Sequence, residues 1–156
     1  MRVWLMKSEP DVFSIDDLRN SPQRTAGWEG VRNYQARNYM RDEMRKGDPV
    51  LFYHSSCPVP GIAGLAEVAR ESHPDPTALD SQSPYFDPRA SEEEPRWFMV
   101  SVRFQRKFSE IIPLSRLREI PDLAEMPLLQ RGQRLSIQPV TPEQYEVILK
   151  VADCGT

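Results

Sequence analysis

Residues Val3 to Lys7, VWLMK, form a mostly apolar run of strand length that starts almost at the first residue and is closed by Pro10. Ser14, with Asp17 three residues on, matches a capping box and predicts a short helix over SIDDLRN. The loop SPQRTAGWEGV follows. Asn33 is placed to cap a second helix, predicted to run to about Lys46 before Gly47. On it Ala36, Met40 and Met44 recur every four residues as an apolar stripe. Arg37, Arg41 and Arg45 make a parallel stripe about 100° around the axis, either a solvated face or a surface turned toward phosphates.

Gly47-Asp48-Pro49 predicts a turn, Val50 to His54 a strand, and SSCPVPG a loop. Ile62 to Arg70 alternates: Ile62, Gly64, Ala66 and Val68 are expected on one face, Ala63, Leu65, Glu67 and Ala69 on the other. Residues 71 to 95 are rich in Pro, Ser and Asp around Tyr85-Phe86, a segment too long for a simple connection. Trp97 to Phe108 is the clearest alternating strand. A short helix, LSRLREI, follows Pro113, and an irregular stretch leads to Gly132. Arg134 to Gln138 predicts a strand. Thr141-Pro142-Glu143-Gln144 predicts a capped helix start, with Tyr145, Ile148 and Leu149 facing the core. Strands without strict strand–helix alternation, plus a few short helices, predict an α+β domain on a curled, barrel-like sheet.

The 156 residues fit one domain of ordinary size, expected to span 1–156. Hydrophobic residues make up 39% and charged residues 28%, a soluble globular composition. A net charge of −3 argues against coating nucleic acid by bulk charge, so any such contact needs a local basic patch. The two cysteines, Cys57 and Cys154, show no metal-binding spacing, and free thiols are the simpler expectation. No signal peptide or membrane span is visible, so an intracellular protein is expected: cytoplasmic in a bacterium, nuclear in a eukaryote. The oligomeric state is left open, with a monomer as the working expectation.

No glycine-rich phosphate loop, dinucleotide fingerprint, GxSxG elbow or HExxH is present. His54 and Ser55 are neighbours in a strand and point to opposite faces, which disfavours a base–nucleophile pair. What remains is a set of aromatics near turns with polar neighbours: Trp28 between two glycines, Tyr53-His54-Ser55, Tyr85-Phe86 and Trp97. Flat ligands with polar edges, nucleobases among them, are held by aromatic walls and a few placed hydrogen-bonding groups. A methylated base suits an aromatic cage. Taken singly, Tyr53 and Trp97 read first as core or surface cover, and Trp28 reads as either. Lys7-Ser8, at the end of the first strand, is either a donor to a base or phosphate or a solvated pair.

The stretches WLMKSEP, WEGVRNYQARN, GDPVLFYHSS, GIAGLAEV, YFDPRASEEEPRWFMVSV and RLSIQPV, in this order, resemble the EVE domain family from Val3 to about Val151. The resemblance implies a PUA-like fold, a curled β-barrel surrounded by short helices, shared with the YTH and ASCH domains. It implies a non-catalytic module that recognises a modified base, with 5-methylcytosine and its oxidised forms as leading candidates, in a flipped-out state. Similarity to the YTH cage makes Trp28 the candidate wall. The base pocket is then expected from Lys7, Ser8, Trp28, Val31, Asn33, Tyr53, His54, Ser55, Ile62, Tyr85 and Trp97, with Arg32, Arg37, Arg41 and Arg134 on the phosphate side. Phe86 stands where the family has a second tyrosine. No metal or cofactor is implied, and the partner is nucleic acid carrying modified bases, or a modified nucleotide.

Two alternatives stand beside this reading. Similarity to ASCH amidohydrolases suggests an enzyme acting on a modified nucleoside through Lys7, Ser8 and Glu67, with burial lowering the lysine pKa. A small-molecule or protein-interaction module on the same fold is the other.

Overall fold

The computed structural model describes residues 2–132 and 135–154; Arg134, expected on the phosphate side, lies outside the described residues. Among the described residues the α-helices and β-strands follow in the order β1 (Val3–Ser8), α1 (Ile15–Arg19), β2 (Thr25–Gly27), α2 (Tyr34–Asn38), β3 (Pro49–His54), β4 (Gly61–Pro74), β5 (Phe98–Pro113), α3 (Leu114–Arg118), β6 (Ile137–Val140) and α4 (Pro142–Cys154). The strands make one six-stranded sheet in the order β2-β5-β4-β3-β1-β6. The fold is α+β and PUA-like; its mixed sheet runs from β2 to β6 without closing. β1 and β3 pair in parallel, so Ser8 and His54 end side by side at one edge of the molecule.

Strand alternation divides the core into two. Trp4, Met6, Val50, Phe52, Val100, Val102 and Ile137 face one cluster, covered by α1, α2 and the loop that carries Trp28. Val3, Leu5, Leu51, Tyr53, Phe108 and Val140 face the other, covered by α3, the segment after it and α4. The capping boxes form: the Ser14 Oγ accepts from the Asp17 N–H, and the Gln144 Oε1 accepts from the Thr141 N–H. On α4, Ile148 is fully buried and Tyr145 packs at the margin of the second cluster.

Three expectations are corrected. The second helix ends at Glu43, not Lys46: the Met44 N–H reaches back five residues to the Tyr39 carbonyl in a π-helical turn over Tyr39–Glu43. The next N–H, of Arg45, is claimed by the buried Asp48 carboxylate, which also accepts from the Trp4 indole. Asn33 caps α2 as expected, and Ala36, Met40 and Met44 are fully buried. Second, Ile62 does not share a face with Ala66 and Val68. Phe52 pairs with Gly64 but Tyr53 with Ile62, so Ala63 bulges out and the alternation inverts. A Cβ on Gly64 would lie 2.3 Å from the Arg106 carbonyl oxygen, so only glycine fits there. Third, the strand expected from Arg134 begins at Ile137, where its ladder to Met6 starts.

Candidate base-binding site

A cavity of about 700 Å³ opens where β1 and β3 end. Its floor is set by the parallel pairing: the Ser55 N–H donates to the Ser8 carbonyl at 2.9 Å, which fixes the two serines next to each other. The Lys7 N–H donates to the Ser136 carbonyl at 2.8 Å and brings Ser136 to the same floor. The far wall is the loop Gly27–Arg32, which continues β2 as the Trp28 N–H bonds the Val100 carbonyl at 2.8 Å. Phe13 and Val12 add apolar surface, Tyr85 closes one side, and Glu9 and Glu29 stand exposed at the mouth.

Trp28 is 7% exposed. Its indole meets Phe52 in a T-shaped contact at 5.4 Å and belongs to the first core cluster while lining the cavity. Its Nε1–H has no partner among the described residues, yet it is not a fully enclosed polar atom. An indole donor left open at a cavity can serve a ligand acceptor.

Asp75 holds the loop. Its buried carboxylate accepts from the Gly30 N–H at 2.8 Å, from Arg32 Nη1 at 3.1 Å, and from the Thr77 N–H and hydroxyl at 2.9 and 2.6 Å. Burial alone would raise the Asp75 carboxyl; these bonds outweigh it and hold the pKa below the ordinary value. Gly30 sits at φ +84°, and a Cβ there would lie 2.7 Å from the Tyr85 ring. The loop and the Tyr85 wall are thereby locked to each other.

Lys7 is half-buried with no ion pair or side-chain hydrogen bond among the described residues; its ammonium lies 5.9 Å from the Tyr53 ring centroid. Burial pushes its pKa down. Ser8 Oγ donates to the Phe13 carbonyl at 2.6 Å, which pins the segment after β1.

Of the expected pocket residues, Lys7, Ser8, Trp28, Val31, Ser55 and Tyr85 meet at this cavity. The others do not. Asn33 is spent capping α2. Tyr53 and Ile62 face the second core cluster. His54 is buried on Phe52, and its Nε2 accepts from the Ile15 N–H at 3.1 Å, which makes it an anchor for α1. Trp97 is buried elsewhere, its indole N–H donating to Asp87 at 2.7 Å.

The arginines also divide. Arg32 donates to the Tyr85 carbonyl at 3.0 and 2.7 Å, as well as to Asp75 and Thr77, so its guanidinium is consumed inside the fold. Arg37 donates to the Arg96 carbonyl at 2.9 Å and is partly covered. Arg41 is exposed and pairs with Asp42 at 2.9 Å. The residues named for the enzyme alternative are not brought together: Glu67 pairs with Arg103, opposite Pro49, whereas Lys7 is in register with Tyr53. That offset of four residues along β3 is about 13 Å.

Sequence reasoning missed Asp75, Phe13, Ser136 and the two rim glutamates. Asp75 carries a local signal, a carboxylate before Pro76 and Thr77 in the pattern of an Asx turn.

An α+β fold on an open, mixed six-stranded sheet, with a cavity of aromatic and polar side chains where β1 and β3 end, defines the class. The EVE domain family model matches residues 2–151, and the chain belongs to that family. Human thymocyte nuclear protein 1 is 42% identical over 167 residues, covering 96% of this chain and 73% of that protein. The structure of human THYN1 protein in complex with 5-methylcytosine-containing DNA superposes with a TM-score of 0.92 at 42% identity, covering 98% of both chains. Protein PSPTO5229 from Pseudomonas syringae has a TM-score of 0.92 at 48% identity, over 96% of this chain and 99% of that one. No helix among the described residues is long and apolar enough to cross a membrane.

Proposed function

We propose that the protein is a non-catalytic reader of a modified nucleobase, which it takes, flipped from its strand, into the cavity between Trp28 and the ends of β1 and β3. The observation that carries this reading is the Trp28 indole, packed against Phe52 and lining a cavity of about 700 Å³, with its N–H without a partner among the described residues. That volume falls in the ordinary range for small-ligand sites. Tyr85 and Val31 supply further apolar wall, and Lys7, Ser8 and Ser55 supply polar groups for a base edge. Extruding a base costs a few kcal/mol, and stacking recovers roughly 1–3 kcal/mol per aromatic contact. The relative solved with 5-methylcytosine-containing DNA supports that base as the first ligand to try. Arg37 and Arg41 are the phosphate-side candidates that remain accessible.

Fluorescence anisotropy on matched duplexes with and without one 5-methylcytosine tests the reading. The wild type is expected to prefer the methylated duplex, and Trp28→Phe, which keeps an aromatic wedge but lacks the N–H, to lose part of that preference. Equal affinity of the wild type for both duplexes, together with no shift toward oxidised 5-methylcytosines, would sink it.

A further inference from the structure

Tyr34, the first residue of α2, is 46% exposed although its ring is anything but loose. It stacks on Trp97 with centroids 4.8 Å apart and planes 22° from parallel. Trp97 is itself fixed by Asp87, whose carboxyl the indole N–H and the Arg89 N–H hold down at a pKa of about 2. The Arg37 guanidinium lies 4.6 Å from the Tyr34 centroid and 5.9 Å from that of Trp97. Indole and cation therefore hold the phenol ring together. The exposed part of the Tyr34 ring is thus rigidly backed, with the Arg37 guanidinium against it and Arg89, paired with Asp87, close by.

Arg32 ties this stack to the cavity. Its guanidinium lies 5.2 Å from the Trp97 centroid while donating to the carbonyl of Tyr85, the cavity wall. The stack and the cavity wall therefore share one anchor.

We propose that the exposed part of the Tyr34 ring is a stacking platform for an unpaired base beside the captured one, so that the partner is a strand locally single at the site. A rigid aromatic ring bordered by guanidinium groups matches what unpaired nucleotides offer: a π-face with a phosphate on either side. Paired bases already use both faces within the duplex, and they leave such a platform empty. The proposal rests on the cavity reading for the neighbouring base, but it has its own readout.

The test uses the full chain and three probes: 5-methyl-2′-deoxycytidine monophosphate, a short single strand with one 5-methylcytosine, and the same strand unmodified. Tyr34→Ala is expected to weaken both strands roughly tenfold while leaving the mononucleotide unchanged, and Tyr34→Phe to bind like the wild type. Unchanged strand affinity in Tyr34→Ala overturns the platform. So does an equal loss in Tyr34→Phe, which would assign the effect to the hydroxyl, or a parallel loss of the mononucleotide, which would assign it to the cavity. If the wild type binds both strands alike and Tyr34→Ala weakens both, the platform stands and the modified-base reading falls. A wild type that binds no strand removes both.

Discussion

Trp28 both packs in the first core cluster and lines the cavity proposed for the base. Its contact with Phe52 contributes to the core, while the same side chain lines the cavity. Truncation to alanine therefore removes both, at about 3–5 kcal/mol of stability. Trp28→Phe is expected to lose far less, because an aromatic wedge remains. Urea unfolding of the two variants separates these contributions, and a Trp28→Ala protein as stable as the wild type would place the indole outside the core. His54 gives a second test at this scale. Its Nε2 must be unprotonated to accept from the Ile15 N–H. Burial lowers its pKa; Asp16 opposes the shift, and Lys107 adds to it. A folded-state pKa below the unfolded value of about 6.5 makes this contribution complete above that pH and lost as pH falls below it. Thermal melts from pH 8 to about 5 should show stability falling, and His54→Gln, which keeps an acceptor, should flatten that fall.

The loop Gly27–Arg32 and the segment from Asp75 to Trp97 act as paired elements, joined by Asp75 on one side and Tyr85 on Gly30 on the other. Gly30→Ala combines a strained φ with a steric collision. It should cost more than the roughly 1 kcal/mol of an ordinary glycine substitution and displace Tyr85. Its signature is weakened binding of the methylated duplex with the fold retained by circular dichroism; unchanged affinity would detach Tyr85 from the site. The same segment is acid-sensitive. The Asp87 carboxyl at about 2 and the lowered Asp75 carboxyl contribute stability above the ordinary carboxylate pKa near 4, lost as pH falls toward 2. Asp87→Asn should shrink that acid loss in melts between pH 5 and 2. Much of the element level was legible: Ser14 with Asp17, Asn33, and Thr141 with Gln144 are local signals, and their partners are three residues away. The early end of the helix at Glu43 was not, because Asp48 is committed to Trp4, 44 residues distant. The bulge at Ala63 likewise depends on two neighbouring strands, and it moved Ile62 to the other core. Tyr53, His54 and Trp97 read as site residues because aromatics near strand ends look alike from sequence, whether they face a cavity or a core.

Across the whole molecule the charge is −3, so binding to a polyanion must be local. Most cations already have internal work: Arg32 serves Asp75 and Tyr85, Arg103 pairs with Glu67, and Lys107 pairs with Asp16. Lys7 lines the cavity, and Arg41 and Arg37, the latter also bonded to Asn38 and the Arg96 carbonyl, are the other cations proposed for phosphates. Each phosphate neutralised contributes a slope of about −0.9 to log Kobs against log salt on duplex DNA. Two or three contacts predict a slope of roughly −2 to −3, shallow for a DNA-binding protein. Arg41→Gln should reduce it by about one contact's worth without changing the preference for the modified base, since Arg41 is solvent-side on the turn after α2. Asp42→Asn should do the reverse and tighten binding at low salt, because Asp42 now competes with phosphate for the Arg41 guanidinium. A slope near zero would mean that the cavity takes free nucleotides or other small molecules. One steeper than about −5 would require a basic surface that these residues do not make.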